Sequence, residues 1–327
     1  MHVEEAVHAV KFGYLLENNF YRYDPVEYHG PTLNFFTLIP SWIFGENNLT
    51  EVTETTLRLV PVFASLIFLA LLFLLINIGK EYLLLVLILS GFSALIVYYN
   101  RYYIQESLLV SFSYSGIILG YKYLKNQKLY YLIFSAVFFA LAFASKETFI
   151  LTAFAVVVSF FILRFTNRKS TNIVSIKLNS LILFLVIFIF TSLLFYTSFF
   201  TNPAGALDSI TTFSNYFIKA GNNTEHIQPF YYYFASVSYA NINGAIYSEF
   251  LIIVFFIFGL FRIFSKTNST TAGIDFLKPI AIITLVLIVV YSSIPYKTPW
   301  SMMSFWQGMI FVAAFGFAEL KKFIPKF

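Results

Sequence analysis

Two adjacent carboxylates, Glu4 and Glu5, stand at the head of the chain in HVEEAVHA, and His8 follows them by four and three residues. On a helix those spacings make the three side chains neighbours on one face, where a carboxylate could take a proton from a reacting hydroxyl. An acidic first turn that answers the helix dipole would use the same residues without any chemistry. His2, His8, Glu4 and Glu5 could also hold a divalent cation shared with a phosphate. Three further stretches put charge where an apolar sequence would not be expected to carry it. YYNRYYIQE sets Arg101 and Glu106 about a tight turn, and ASKET interrupts a long apolar run with Lys146 and Glu147. IPYKTPW holds Lys297 between two prolines and beside Trp300.

The elements that must position these residues are helices in a bilayer. Of 327 residues, 59% are hydrophobic and only 11% charged, too little polar surface to cover a soluble core of this size. Nine apolar runs are long enough for a span of roughly 20 residues: 57–78, 82–99, 105–123, 129–145, 148–165, 179–200, 248–264, 279–295 and 300–318. TLNFFTLIPSWIFG, residues 32–45, is shorter and contains Pro40, which predicts an interfacial or re-entrant helix. The net charge of +5 comes from basic residues in short loops, which points to membrane orientation and away from nucleic acid. Without cysteine there is no disulfide framework and no thiol nucleophile.

Placing the N-terminal segment outside puts 14 of the 21 Lys and Arg residues in the cytoplasm together with the C-terminus, and 13 of the 16 acids on the outer side. The expected organisation is one transmembrane domain over 1–327 in the cell membrane. Its two long outer segments, 1–56 and 201–247, carry most of the polar chemistry. Each holds a glycosylation triplet, Asn48-Leu49-Thr50 and Asn222-Asn223-Thr224. On this reading Arg101, Lys146 and Lys297 share the outer membrane face with Glu4 and Glu5. Such a set suits a lipid-linked phosphate, whose charge stays at the interface while its tail lies in hydrocarbon. A sugar carried on that phosphate would leave through an oxocarbenium-like state. The phosphate is already a stable leaving anion, so cations suffice on its side and one carboxylate suffices as base for the acceptor hydroxyl. A single displacement of this kind inverts the anomeric centre.

HVEEAVHA, YRYDPVEYHGPTLNFFT, YYNRYYIQE, ASKET, QPFYYY and IPYKTPW, in this order, resemble a prokaryotic, largely archaeal family of flippase-activity-associated membrane proteins. That family belongs with the dolichyl-phosphate-mannose-protein-mannosyltransferase-like enzymes of GT-C type. The resemblance implies an all-α, polytopic bundle of GT-C glycosyltransferase type, with about nine spans plus interfacial helices. It implies an extracytoplasmic active site that moves a sugar from a polyprenyl (dolichyl) phosphate donor to a hydroxyl of a protein, glycan or lipid. Glu4 and Glu5 match an acidic pair that is usually Asp-Glu, whose Asp is the base. A Glu there reaches farther by more than about 1 Å. Arg101 and Glu106 match a second outer motif; Lys146 and Lys297 become donor-phosphate ligands, and His29 in YHGPT lines the acceptor groove. In relatives the acidic pair follows a first transmembrane helix, so Met1 is expected to be an internal residue of a longer product. A lipid-linked saccharide flippase, or a non-catalytic partner of one, is the competing reading. Charges gathered at one face favour surface chemistry over a midplane carrier site.

Overall fold

A computed structural model describes residues 2–26, 29–166, 177–222, 226–242, 245–265 and 273–322. In chain order its helices are α1 (Val3–Asn18), α2 (Thr32–Phe44), α3 (Glu54–Leu72), α4 (Lys80–Phe92), α5 (Ala94–Asn100), α6 (Gln105–Asn126) and α7 (Leu129–Phe143). Then come α8 (Phe149–Thr166), α9 (Leu178–Tyr196), α10 (Gly205–Asn222), α11 (Tyr232–Ser238), α12 (Phe250–Phe264), α13 (Ile274–Ser293) and α14 (Met303–Lys321). A two-stranded hairpin, β1 (Ala240–Ile242) and β2 (Ala245–Tyr247), pairs antiparallel with Asn241 opposite Ile246.

Every one of the nine apolar runs forms a helix. Among the described residues, five segments are long and apolar enough to cross a membrane: Glu54–Ile78, Phe149–Thr166, Leu178–Tyr196, Ile274–Ser293 and Pro299–Lys321. A sixth crossing results if α4 and α5, bent by 59° at Ser93, count as one span. The remaining three differ for physical reasons. α7 and α12 have 15 residues each, about 22 Å at 1.5 Å per residue and short of a hydrocarbon core of roughly 30 Å. α6 has 22 residues but is rich in Ser, Gln, Glu and Lys. α2 forms as expected and continues through Pro40, ending at Gly45 in the left-handed conformation. The chain is an integral membrane protein.

The chain divides into two compact units. The first contains residues up to Phe68, Tyr98–Ile150 and the described residues from 177 to Asn222. Here α6 and α7 form a hairpin, and α9 packs on α7. Ser135 Oγ donates to the Gly116 carbonyl at 2.8 Å across the hairpin. α6 is buried along most of its length, so its polar side chains face protein, while α9 turns Leu181, Ile182, Leu185, Val186, Ile189 and Phe190 outward. Polar groups inside and apolar groups outside is the distribution that a hydrocarbon solvent imposes.

The second unit contains Leu69–Val97, the described residues from 151 to 166, and those from 226 to 322. α14 is its buried centre, packed by α12, α13 and α4. α12 and α14 meet through glycines: a Cβ added to Gly259 would strike the Val312 carbonyl, and one added to Gly316 would strike the Phe255 carbonyl. Close backbone approach over small residues is how helices gain packing where lipid is as apolar as leucine. The bend at Ser93 has a chemical anchor in Glu249. This buried carboxylate accepts from Ser93 Oγ at 2.7 Å, Leu95 N at 3.0 Å, Tyr247 OH at 2.6 Å and Trp306 Nε1 at 3.0 Å. It thereby satisfies an amide that the break leaves without a helical partner.

Gly259→Ala and Gly316→Ala are each expected to destabilise the protein by about 1–3 kcal/mol through overpacking. Gly91→Ala, whose Cβ would meet nothing, should hold or slightly raise the melting temperature, since alanine favours a helix over glycine. Thermal unfolding in detergent, followed by tryptophan fluorescence, checks all three.

Candidate active site

α1 begins with a capping box: Glu4 N donates to His2 Nδ1 at 3.4 Å, and His2 N donates to Glu5 Oε2 at 3.0 Å. Glu5 is 1% exposed and engaged on both oxygens. Arg58, from the first turns of α3, donates through Nε to Oε1 at 2.9 Å and through Nη2 to Oε2 at 2.8 Å; Tyr103 N adds a bond to Oε1 at 3.0 Å. Burial pushes the Glu5 carboxyl pKa up, but the Arg58 bonds and charge and the two backbone donors outweigh it and hold the value down at about 2. Glu4 is exposed, and its carboxylate makes no ion pair or hydrogen bond among the described residues. The two residues predicted as a catalytic pair therefore occupy different environments.

A second set of contacts brings the YHGPT and ASKET motifs together. Thr32 N donates to the Ala144 carbonyl at 3.2 Å, and Thr32 Oγ1 and Ser145 Oγ share a hydrogen bond of 2.7 Å. A Cβ on Gly30 would collide with that same Ala144 carbonyl, so this turn tolerates only glycine there. The docked turn presents Lys146 and Glu147, both buried. Lys146 Nζ donates to Glu106 Oε1 from the first turn of α6. Glu147 accepts from Tyr23 OH at 3.2 Å through Oε1 and lies 2.8 Å from His29 Nδ1 through Oε2. Burial alone would raise the Glu147 pKa, yet the neighbouring His29 and Lys146 lower it.

His8, buried on the inner face of α1, closes the cluster. Its Nδ1 is 3.3 Å from Gln105 Nε2 and its ring lies 6.0 Å from that of His29. Burial, then the charges of His29 and Lys146, lower its pKa to about 3, so the ring is neutral at neutral pH.

Of the residues predicted from sequence, Glu106 and Lys146 pair, His29 holds the neighbouring Glu147, and Glu5 is clasped by Arg58 and Tyr103 N in the same unit. Arg101 sits beside them in sequence but is exposed, and its side chain forms no ion pair among the described residues. Lys297 belongs to the second unit. There the QPFYYY and IPYKTPW motifs pair through an Ile227–Tyr296 bridge, Gln228 N to the Pro295 carbonyl and Lys297 N to the His226 carbonyl. Lys297 is 2% exposed, and its ammonium donates to the Gln228 and Ile294 carbonyls at 2.9 and 2.5 Å. Burial lowers its pKa. Sequence reasoning missed Arg58, Gln105 and Tyr23. Gln105 and Tyr23 lie inside quoted motifs without a role of their own, and Arg58 is a guanidinium at the mouth of the first apolar run. Among the described residues no group of three or more His, Asp or Glu side chains is placed to hold a metal ion. The Asn222 triplet lies outside the described side chains, while Asn48 caps its own turn through Thr50 Oγ1 at 2.5 Å.

A family model described as dolichyl-phosphate-mannose-protein mannosyltransferase matches residues 30–196, a little over half of the chain. The matched stretch contains Arg58, Tyr103, Glu106, Lys146 and Glu147 and begins after the acidic pair. Comparison with curated proteins gave no match. Among solved structures, ArnT from Cupriavidus metallidurans in the apo state is similar with a TM-score of 0.65 and 11% identity, over 96% of this chain and 55% of that one. The chain thus spans about half the length of that protein, and at this identity the likeness shows a shared GT-C fold.

Arg58→Ala strips Glu5 of its only charged partner among the described residues. A loss of about 2 kcal/mol is expected, below the value for a fully buried pair because Arg58 is partly exposed. In the intact protein the folded Glu5 pKa of about 2 lies below the unfolded carboxylate value of about 4.3. The clasp therefore contributes fully above that unfolded value and is lost as pH falls towards 2. Melting temperatures from pH 7 down to pH 3 should fall more shallowly for Arg58→Ala than for wild type.

Proposed function

Because the chain belongs to the dolichyl-phosphate-mannose-protein mannosyltransferase family, we propose that it transfers a glycosyl group from a polyprenyl phosphate to an acceptor hydroxyl, with Glu4 as the base. The observation that carries this assignment is the division of the acidic pair. Glu5 already accepts four hydrogen bonds, two of them from Arg58, and its lowered pKa makes it a weak proton acceptor. Glu4, one residue earlier on the same helix, keeps both oxygens open to a substrate hydroxyl. Glu5 is then the positioning residue: it fixes the rotation of α1 and thereby the place of Glu4.

In the proposed step the acceptor oxygen forms a bond to the anomeric carbon while the bond from that carbon to the phosphate oxygen breaks. The electron pair leaves with the polyprenyl phosphate, and the acceptor proton passes to Glu4. Lys146 offers its ammonium to the growing phosphate charge, and Glu106 keeps that ammonium in place at the end of α6. Exposed Arg101 supplies a second cation. The extracytoplasmic side is favoured by the concentration of acids in the segments that the basic loops place outside. The ordered motifs favour the flippase-activity-associated branch of the family. A chelator added to the assay tests for a divalent cation shared with the donor phosphate.

The decisive assay supplies purified protein with radiolabelled polyprenyl-phosphate sugars and a panel of lipid, glycan and peptide hydroxyl acceptors. Glu4→Gln should lower turnover roughly 10²- to 10⁴-fold with donor binding retained. Wild-type turnover in Glu4→Gln would remove the base assignment, and donor binding without transfer to any acceptor would favour the carrier reading. Lys146→Ala should weaken donor binding and lower kcat together, because it also leaves Glu106 buried without a cation.

A further inference from the structure

α1 and α6 also meet through an uncharged pair that the transfer step leaves unused. Gln105 is 1% exposed; its Nε2 faces His8 Nδ1 at 3.3 Å, while its Oε1 is buried with no hydrogen-bond partner. Exchanging the amide oxygen and nitrogen would move the unsatisfied atom without satisfying it. His8 is neutral, so with Nδ1 accepting from Gln105 its Nε2 carries the proton, and Nε2 makes no hydrogen bond among the described residues. The pair thus presents one acceptor and one donor, both without charge.

Its surroundings narrow the ligand. His8 lies one helical turn from Glu4, and Gln105 adjoins Glu106, which holds Lys146. The pair is therefore flanked by the proposed base on one helix and by the proposed phosphate cation on the other, where the sugar of a donor would have to lie. A hydroxyl both gives and takes a hydrogen bond and satisfies Gln105 Oε1 and His8 Nε2 at no cost in charge. An ammonium is a donor only: it would satisfy Gln105 Oε1 but leave the His8 Nε2 proton facing another donor. We propose that His8 and Gln105 recognise a sugar hydroxyl, and so make this chain selective for a neutral, fully hydroxylated glycosyl group over deoxy or amino sugars. The proposal rests on the transferase reading and names the substrate class of that same site; the hydroxyl belongs to the donor sugar or to a glycan acceptor.

The test measures dissociation constants in detergent for a polyprenyl-phosphate hexose, its monodeoxy and amino analogues, and sugar-free polyprenyl phosphate, with wild type, Gln105→Leu and His8→Phe. A second arm measures KM for glycan acceptors and their deoxy analogues. Wild type should lose roughly tenfold against one deoxy analogue, and each variant should bind the parent sugar more weakly and discriminate less between the two, the other half of the pair still contacting the hydroxyl. If this pattern arises in the donor arm the hydroxyl is the donor's, and if in the acceptor arm it is the acceptor's. Unchanged binding of sugar-free polyprenyl phosphate shows that a variant is folded. Equal treatment of parent and deoxy sugars by wild type in both arms overturns the proposal, the amide then being satisfied by water. Failure of wild type to bind any polyprenyl-phosphate sugar would instead remove the transferase reading on which it stands.

Discussion

The charge on Glu5 is the constraint to which the polar half of the first unit answers. A carboxylate this buried is costly unless its lone pairs are filled, and four donors from three separate segments fill them: His2 N, both arms of Arg58, and Tyr103 N. The clasp ties α1 to α3 and to the turn before α6. It also sets the rotation of α1, in which successive residues are about 100° apart. With Glu5 facing inward, His8, three residues on, must face inward too, and Glu4 is turned out of the core. One buried ion pair thus decides which carboxylate stays open and which imidazole loses its charge.

The same economy of buried charge recurs with different partners. Lys146 and Glu106 neutralise each other, and Glu147 is held by Tyr23 and His29. In the second unit Glu249 has no cation among its hydrogen-bond donors and is satisfied by a hydroxyl, a phenol, an indole and an amide at the bend of a broken helix. Each solution suits its place. A carboxylate fed by neutral donors secures a bend, whereas an ammonium paired with a carboxylate remains available to a stronger anion such as a phosphate.

Much of this architecture is legible in the sequence. The nine apolar runs are all helices, and the run with Pro40 is a short helix, because length and hydropathy dominate helix formation in a membrane. Where the count of crossings differs, the sequence contains the reason: α6 interleaves Gln105, Glu106, Ser111 and Ser115 with apolar residues and survives by being enclosed in protein. The site was legible only as a set of candidates. ASKET and YHGPT read as two separate motifs, and nothing in their spacing says that Thr32 bonds to Ala144 or that His29 bonds to Glu147. Arg58 stands outside every quoted motif, and Gln105 lies inside YYNRYYIQE without a role of its own.

What the amino-acid sequence determined by itself is the solvent and the chemistry at hand: a bilayer protein with carboxylates, ammonium groups and imidazoles held in a few short motifs. Those follow from composition and local pattern, which act over tens of residues at most. Only the tertiary structure decided the pairing of the charges, and with it the separate fates of Glu4 and Glu5, the neutrality of His8 and the unsatisfied amide of Gln105. The reason is that a buried charge is stabilised by whichever groups fall within about 3 Å of it, and here those groups lie 53 residues away at Arg58 and 98 at Tyr103.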